Sequence, residues 1–172
     1  TRLFLARGGT TTTGLIQTAD NALGGAIGTL ITWNDGYRHC VLFNQDGLSP
    51  ARSDFVRTLY GKAGWFRKSP AGIKPPVFTD WVLAGGTVFA AAAFDPNEGM
   101  SFSFLDSDVT CSASFRTFGS VKRLEIFVSN PPGGTETVCY APGVNLATDV
   151  FQNGVPATNV QAIAGGYVLF TH

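Results

Sequence analysis

Histidine is nearly missing from this chain: His39 is internal and His172 is the only other one. A multi-histidine zinc site, or a Ser-His-Asp triad, needs imidazoles at well-partnered positions, so most common catalytic arrangements are excluded at once. Charge is also scarce. Only 14% of residues are charged, and the net charge is zero. General nucleic-acid binding demands a basic excess to neutralise phosphates, and a genome-packaging arm would read as an Arg/Lys tail. Neither is present. No apolar run approaches the roughly 18 residues of a membrane span. The longest, Thr87 to Phe94, is strand-like. There is no GxSxG, HExxH or GxxxxGK motif, and no Asn-x-Ser/Thr sequon. A chain that opens at Thr1 with neither Met nor a charged-then-apolar leader reads as a fragment or processed product.

Cysteine is sparse too. Cys40, Cys111 and Cys139 lie far apart and form no CxxC, which argues against a zinc knuckle. An odd count leaves one thiol over in any case. Three buried small hydrophobes under reducing conditions is the simplest expectation. A Cys111–Cys139 bridge competes with it.

What the chain does have is glycine, phenylalanine and small polar residues: 21 Gly and 14 Phe in 172 residues, with 44% hydrophobic content. A length of this order makes one domain with a core of its own. The expectation is a single β domain over residues 1–172, with 1–12 as a linker or N-terminal strand. Ile27 to Trp33 alternates, Asn34-Asp35-Gly36 turns, and Tyr37 to Phe43 follows, which is a strong hairpin signal. A second hairpin is expected across Gly85-Gly86, from Val77–Leu83 to Thr87–Phe94. A third is expected from Arg123–Ser129 to Thr135–Ala141. In its first arm Leu124, Ile126 and Val128 face one side, and Arg123, Glu125 and Phe127 the other. Ser101 to Phe104, Phe115, Val144–Phe151 and Tyr167–Thr171 add further short strands. The fold class expected is all-β, an antiparallel β-sandwich or jelly roll with one short helix. That helix has Ser49 as N-cap, Pro50 as first residue and Gly61 as stop, although Phe55–Tyr60 also suits a strand.

Charge is unevenly spread. Residues 52–74 carry six cations against Asp54 alone, and 75–115 carry five acids and no cation. A basic lobe docking on an acidic face of a second copy is one reading. Signs that balance in three dimensions is the simpler one.

The most site-like stretch is Gly61 to Lys68. Tyr60, Lys62, Trp65, Phe66, Arg67 and Lys68 place aromatics among cations and glycines. That mixture suits stacking on a sugar ring, an acidic glycan or a partner protein. Against it stands a loop whose Trp65 and Phe66 plug the end of the sandwich. Other chemistry is thin. His39 and Cys40 are neighbours on a strand and point to opposite faces, so they form no dyad. The clusters Asp106-Ser107-Asp108 and Asp95 to Gly99 read first as acidic turns. Calcium ligation and a carboxylate enzyme site at Asp95, Glu98, Asp106 or Asp108 are the alternatives. Gly24 to Gly28 precedes a strand instead of following one, so it is not a phosphate loop. No catalytic residue, metal or cofactor is expected.

The short strands rich in Thr, Ser, Gly and Phe, the low charge, the loop Asn130-Pro131-Pro132-Gly133-Gly134 and the closing Gly166 to Phe170 strand form a pattern that resembles the surface-exposed β domains of viral capsid and spike proteins, such as the protruding domains of small positive-strand RNA viruses. On that resemblance Thr1 to Gly9 would leave a preceding shell domain or stalk. It implies a domain on the virion surface, assembled in the host cytoplasm and grouped as dimers or trimers, whose loops at Gly61–Ile73 and Asp95–Gly99 meet a protein or glycan receptor. It implies no nucleic-acid binding by this domain and no membrane insertion. Binding would work by avidity over many copies. A secreted, lectin-like glycan-binding sandwich using Trp65 or Trp81 is the alternative.

Overall fold

The computed structural model describes residues 16–20, 27–33, 35–44, 56–70, 72–73, 77–91 and 101–172. They form twelve strands: β1 (Ile16–Asp20), β2 (Ile27–Thr32), β3 (Arg38–Phe43), β4 (Val56–Lys68), β5 (Phe78–Ala91), β6 (Phe102–Phe118), β7 (Val121–Val128), β8 (Glu136–Tyr140), β9 (Val150–Gln152), β10 (Val155–Pro156), β11 (Val160–Ile163) and β12 (Tyr167–Thr171). Strands β1 to β7 are neighbours in chain order, a meander, and β9 and β10 extend it. The remaining strands branch off: β8 pairs with the start of β6, β12 with β8, and β11 with β12. All pairs are antiparallel except β7 with β9.

The branch exists because the three longest strands bend. Residues 81 and 89 of β5 would stand roughly 26 Å apart on a straight strand. Yet the ring of Phe104 lies 6.2 Å from Trp81 and 5.0 Å from Phe89. Phe66, opposite Trp81 in the β4–β5 ladder, also lies 6.1 Å from Phe89. The sheet therefore folds over, and its two halves face one another as the layers of a sandwich. One layer carries β3, the second half of β4, the first half of β5, the second half of β6, and β7. The other carries the complementary halves with β8, β12 and β11.

Glycine makes the corner. Register breaks between Tyr60 and Gly61 on β4, and on either side of Gly86 on β5. A Cβ on Gly86 would collide with the Tyr60 carbonyl oxygen and lie 2.7 Å from the Gly61 Cα. Two backbones this close admit only hydrogen at those positions. Inside the fold, Phe66 stacks on Phe104 at 4.9 Å, and Gly64 leaves room for the Phe89 ring. Trp81 is fully buried, and its Nε1 donates to the Tyr140 carbonyl in the opposite layer at 2.7 Å. A buried indole N–H needs such a partner.

The β2–β3 hairpin and the two-sided pattern of β7 are as expected. Gly36 takes φ +83° in the turn, and Leu124, Ile126 and Val128 are buried. Other expectations fail. From Val56 onward the segment expected to be helical is strand β4; residues 49–55 lie outside the described residues. The β-branched Val56 and Thr58 and the aromatic Tyr60 suit a pleated ladder with β5. Gly85-Gly86 is a bend within one strand, and β5 runs unbroken through it. Strands β7 and β8 do not form a hairpin, because each pairs with a different half of β6. Of Val144–Phe151 only the end is strand; 146–149 form a turn. The segments 1–12, 24–26 and 95–99 lie outside the described residues.

Candidate functional site

Strand β4 passes through the corner, and its alternation decides what each candidate residue does. Trp65 and Arg67 point outward from the first layer. Phe66 points inward, is fully buried, and belongs to the aromatic core. Lys68 is also buried. Tyr60 and Lys62 are exposed but flank Gly61 at the bend, with the Lys62 stem over Gly85. Thus the six candidates are strand residues and not a loop. Phe66 and Lys68 are not surface contacts, because a pleated strand cannot send neighbouring residues to the same face. Trp81 is likewise a core residue.

Residues from other strands join Trp65 on the outer face. His39 stands beside it on β3, rings 5.5 Å apart and edge-on, and Trp33 meets His39 at 5.6 Å. Arg116, exposed on β6, lies over the Trp65 ring at 5.1 Å. Arg67 caps Tyr37 at 4.0 Å and reaches Asp80 at 3.6 Å. Further along, Arg123 covers Phe151 at 4.7 Å and reaches Glu125 at 3.8 Å. The outcome is a band of aromatic faces and guanidinium groups across the sheet. Such a band stacks on flat apolar faces and pairs with anions. The Arg67–Asp80 pair also shows that the two oppositely charged stretches of sequence meet across the β4–β5 ladder, so part of their imbalance cancels within one molecule.

His39 and Cys40 diverge as expected: the histidine sits among tryptophans and the thiol is buried. All three cysteines are free and buried. Burial pushes the Cys111 thiol up to about 11 and raises Cys40 and Cys139 as well, so none forms a reactive thiolate. Among the described residues no group of three His, Cys, Asp or Glu side chains could hold a metal ion. Asp108 instead accepts from the Glu136 amide at 2.9 Å. No described helix is long and apolar enough to cross a membrane.

One polar cluster was not visible in the sequence. His172 is joined through Nε2 to Thr137 at 3.0 Å and through Nδ1 to Gln152 at 2.8 Å. Thr137 meets Ser107 at 2.6 Å, and Ser107 donates to the Val109 carbonyl at 2.7 Å. One order of protons satisfies every link. The Gln152 amide donates to Nδ1, Nε2–H to Thr137, and Thr137 to Ser107. The imidazole is then neutral, and burial lowers its pKa in the same sense. Thr137 is fully buried, so its hydroxyl offers no approach to a substrate. The relay ties β8, β6, β9 and the last strand together. Only the three-dimensional pairing of β8 with β6 and β12 brings these distant residues together.

No family model matches this chain, and neither does any curated protein or solved structure.

Proposed function

We propose that the chain is a non-enzymatic attachment domain of a virion surface, a capsid protrusion or spike head, that engages its host receptor through the outer face of the first layer. The observation that carries this reading is the band Trp33, His39, Trp65 and Arg116. Half-buried Trp33, His39 and Trp65 meet edge-on in one row, with the exposed Arg116 guanidinium over the Trp65 ring. The row is held rigid by a core that uses the alternate residues of the same strands. Surface aromatics with adjacent arginine are what recognition patches concentrate. Trp65 with Arg116 fits a pyranose face and a carboxylate presented together, so the receptor chemistry favoured is an acidic glycan. The same band supports a secreted lectin-like module as the second reading. Grouping into dimers or trimers would turn weak single contacts into useful avidity.

Glycan-array binding and titration calorimetry test the proposal. The protein should retain sialylated or uronic-acid glycans over neutral ones. Trp65→Ala should weaken binding about tenfold, the scale of one lost stacking contact. Its melting temperature should move little, whereas Phe66→Ala should cost about 3–5 kcal/mol of stability. Indifference of binding to Trp65→Ala and Arg116→Gln would defeat the assignment.

A further inference from the structure

Three turns meet at one end of the first layer. Gly36 of the β2–β3 turn packs against Pro70, which opens the β4–β5 connection; a Cβ on that glycine would lie 3.0 Å from the proline Cβ. Ser69 holds the end of that connection: its amide donates to the Val77 carbonyl at 2.8 Å, and its hydroxyl accepts from the Val77 amide at 3.0 Å. Thr117, at the close of β6, donates its hydroxyl to the Thr79 carbonyl at 3.1 Å and its amide to Asp80 at 2.7 Å. The β6–β7 turn, Gly119-Ser120, is thereby fixed beside Val77.

These turns carry apolar side chains outward. Phe118 is 66% exposed and its cross-strand partner Val121 is 55% exposed. Val77 is 48% and Ile73 is 45% exposed. Around them cations outnumber acids on the paired residues of the β6–β7 hairpin. Residues 109–124 hold Arg116, Lys122 and Arg123 and no acid. Lys122 donates to the Pro142 carbonyl at 2.7 Å. Of the acids at this end, Asp80 is occupied by Arg67 and the Thr117 amide, Glu125 lies 3.8 Å from Arg123, which is itself about half exposed, and Asp35 accepts from the Tyr37 amide at 3.0 Å.

We propose that this end of the sandwich docks onto an anionic lipid surface. The Phe118–Val121 turn enters the headgroup region with Val77 and Ile73 beside it, and Arg116 and Arg123 meet lipid phosphates. The exposed apolar groups stand on neighbouring turns, and a deformable apolar medium accommodates side chains presented in this way. Cations flanking the tips supply the complementary charge. This is peripheral contact by turns, not a spanning segment.

Sedimentation of the protein with phosphatidylcholine vesicles, with and without phosphatidylserine, decides the matter. Binding is expected only to the anionic vesicles and should fall as salt is raised. Phe118→Ser should weaken it about tenfold, as expected for one aromatic side chain withdrawn from an apolar medium. It should leave the melting temperature and the glycan binding of the outer face unchanged. Absence of anionic-vesicle binding, or equal binding by Phe118→Ser, would overturn the proposal. A solution mass that drops from dimer to monomer in Phe118→Ser would overturn it too, by giving the tip to a second copy of the chain.

Discussion

Replacing Gly86 with alanine should be among the most damaging single-methyl changes available in this protein. The added Cβ would meet three backbone atoms: the Tyr60 carbonyl oxygen, the Tyr60 carbonyl carbon at 3.0 Å and the Gly61 Cα at 2.7 Å. A flexible side chain could swing aside, but a paired strand cannot. Overpacking typically costs about 1–3 kcal/mol, and this collision with main chain belongs at the top of that range. Set against a total stability of about 5–15 kcal/mol, the loss should be plain in a urea titration. With a slope of about 1–3 kcal/mol per molar, the midpoint should fall by about 1–3 M. Gly61→Ala should behave similarly, since its Cβ would meet the Gly86 Cα at 2.9 Å and Leu83 Cδ1 at 3.1 Å. Because the two sites touch, parting the strands once relieves both clashes, and the double variant should cost less than the sum. Gly133→Ala is the control: nothing lies within 4 Å of its Cβ, and a shift within about 0.5 kcal/mol is expected. A Gly86→Ala protein as stable as the control would refute the corner.

Two further outcomes follow from titratable groups withdrawn wholly or partly from water. The three cysteines should resist a thiol reagent in the native protein and react together on denaturation without reductant, because all are buried and burial raises their pKa values. A single reactive thiol after denaturation would instead mean that two are joined in a bridge. The neutral imidazole of His172 makes stability depend on pH. Burial lowers its folded pKa, so the unfolded chain takes up a proton first as pH falls through about 6.5. Its contribution is therefore complete above that pH and is lost between the unfolded and folded values. Urea midpoints at pH values either side of this window should diverge for the native chain and diverge less for His172→Gln. Equal pH dependence in the two proteins would remove His172 from the account.

Much of the fold is legible where a local pattern has one geometric meaning. Alternation in β7 has only one, and so does Asn34-Asp35-Gly36 between two apolar runs. Legibility ends where one composition serves two geometries. Diglycine at 85–86 fits a hairpin turn as well as the inside of a sharp bend. The choice depends on Tyr60 and Gly61, which approach from a strand more than twenty residues away. The Pro-Gly connection after β7 fits a tight return, yet β8 departs to the other layer, where β6 has an open edge. A further local pattern has one geometric meaning. Asn153-Gly154 has positive φ at both residues, 53° and 80°, and joins β9 to β10 as an Asn-Gly hairpin should. At the candidate site, the mixture of aromatics and cations on β4 was visible, but its division was not. Once the segment is known to be a strand and not a loop, alternation alone separates Trp65 from Phe66. His39, Tyr37 and Arg116 were out of reach because strand pairing, not sequence proximity, brings them beside Trp65 and Arg67.

The corner and the outer face depend on one another through the register of β4. Just after Gly61, between Lys62 and Gly64, the alternation changes step: Tyr60 and Lys62 are exposed, Gly61 and Gly64 are buried, and Trp65 then faces out while Phe66 faces in. A slip of one residue beyond that point would drive Trp65 and Arg67 into the core and expel Phe66 from its stack on Phe104. The core therefore resists the slip with the energy of a buried phenylalanine, and the same resistance aims Trp65 at His39 and Arg116. The platform needs no loop to hold it, since its orientation is set by the packing of the opposite face. It follows that substitutions at Gly61 or Gly86, far from any surface contact, should loosen the outer band along with the fold, while changes at Trp65 should spare the corner.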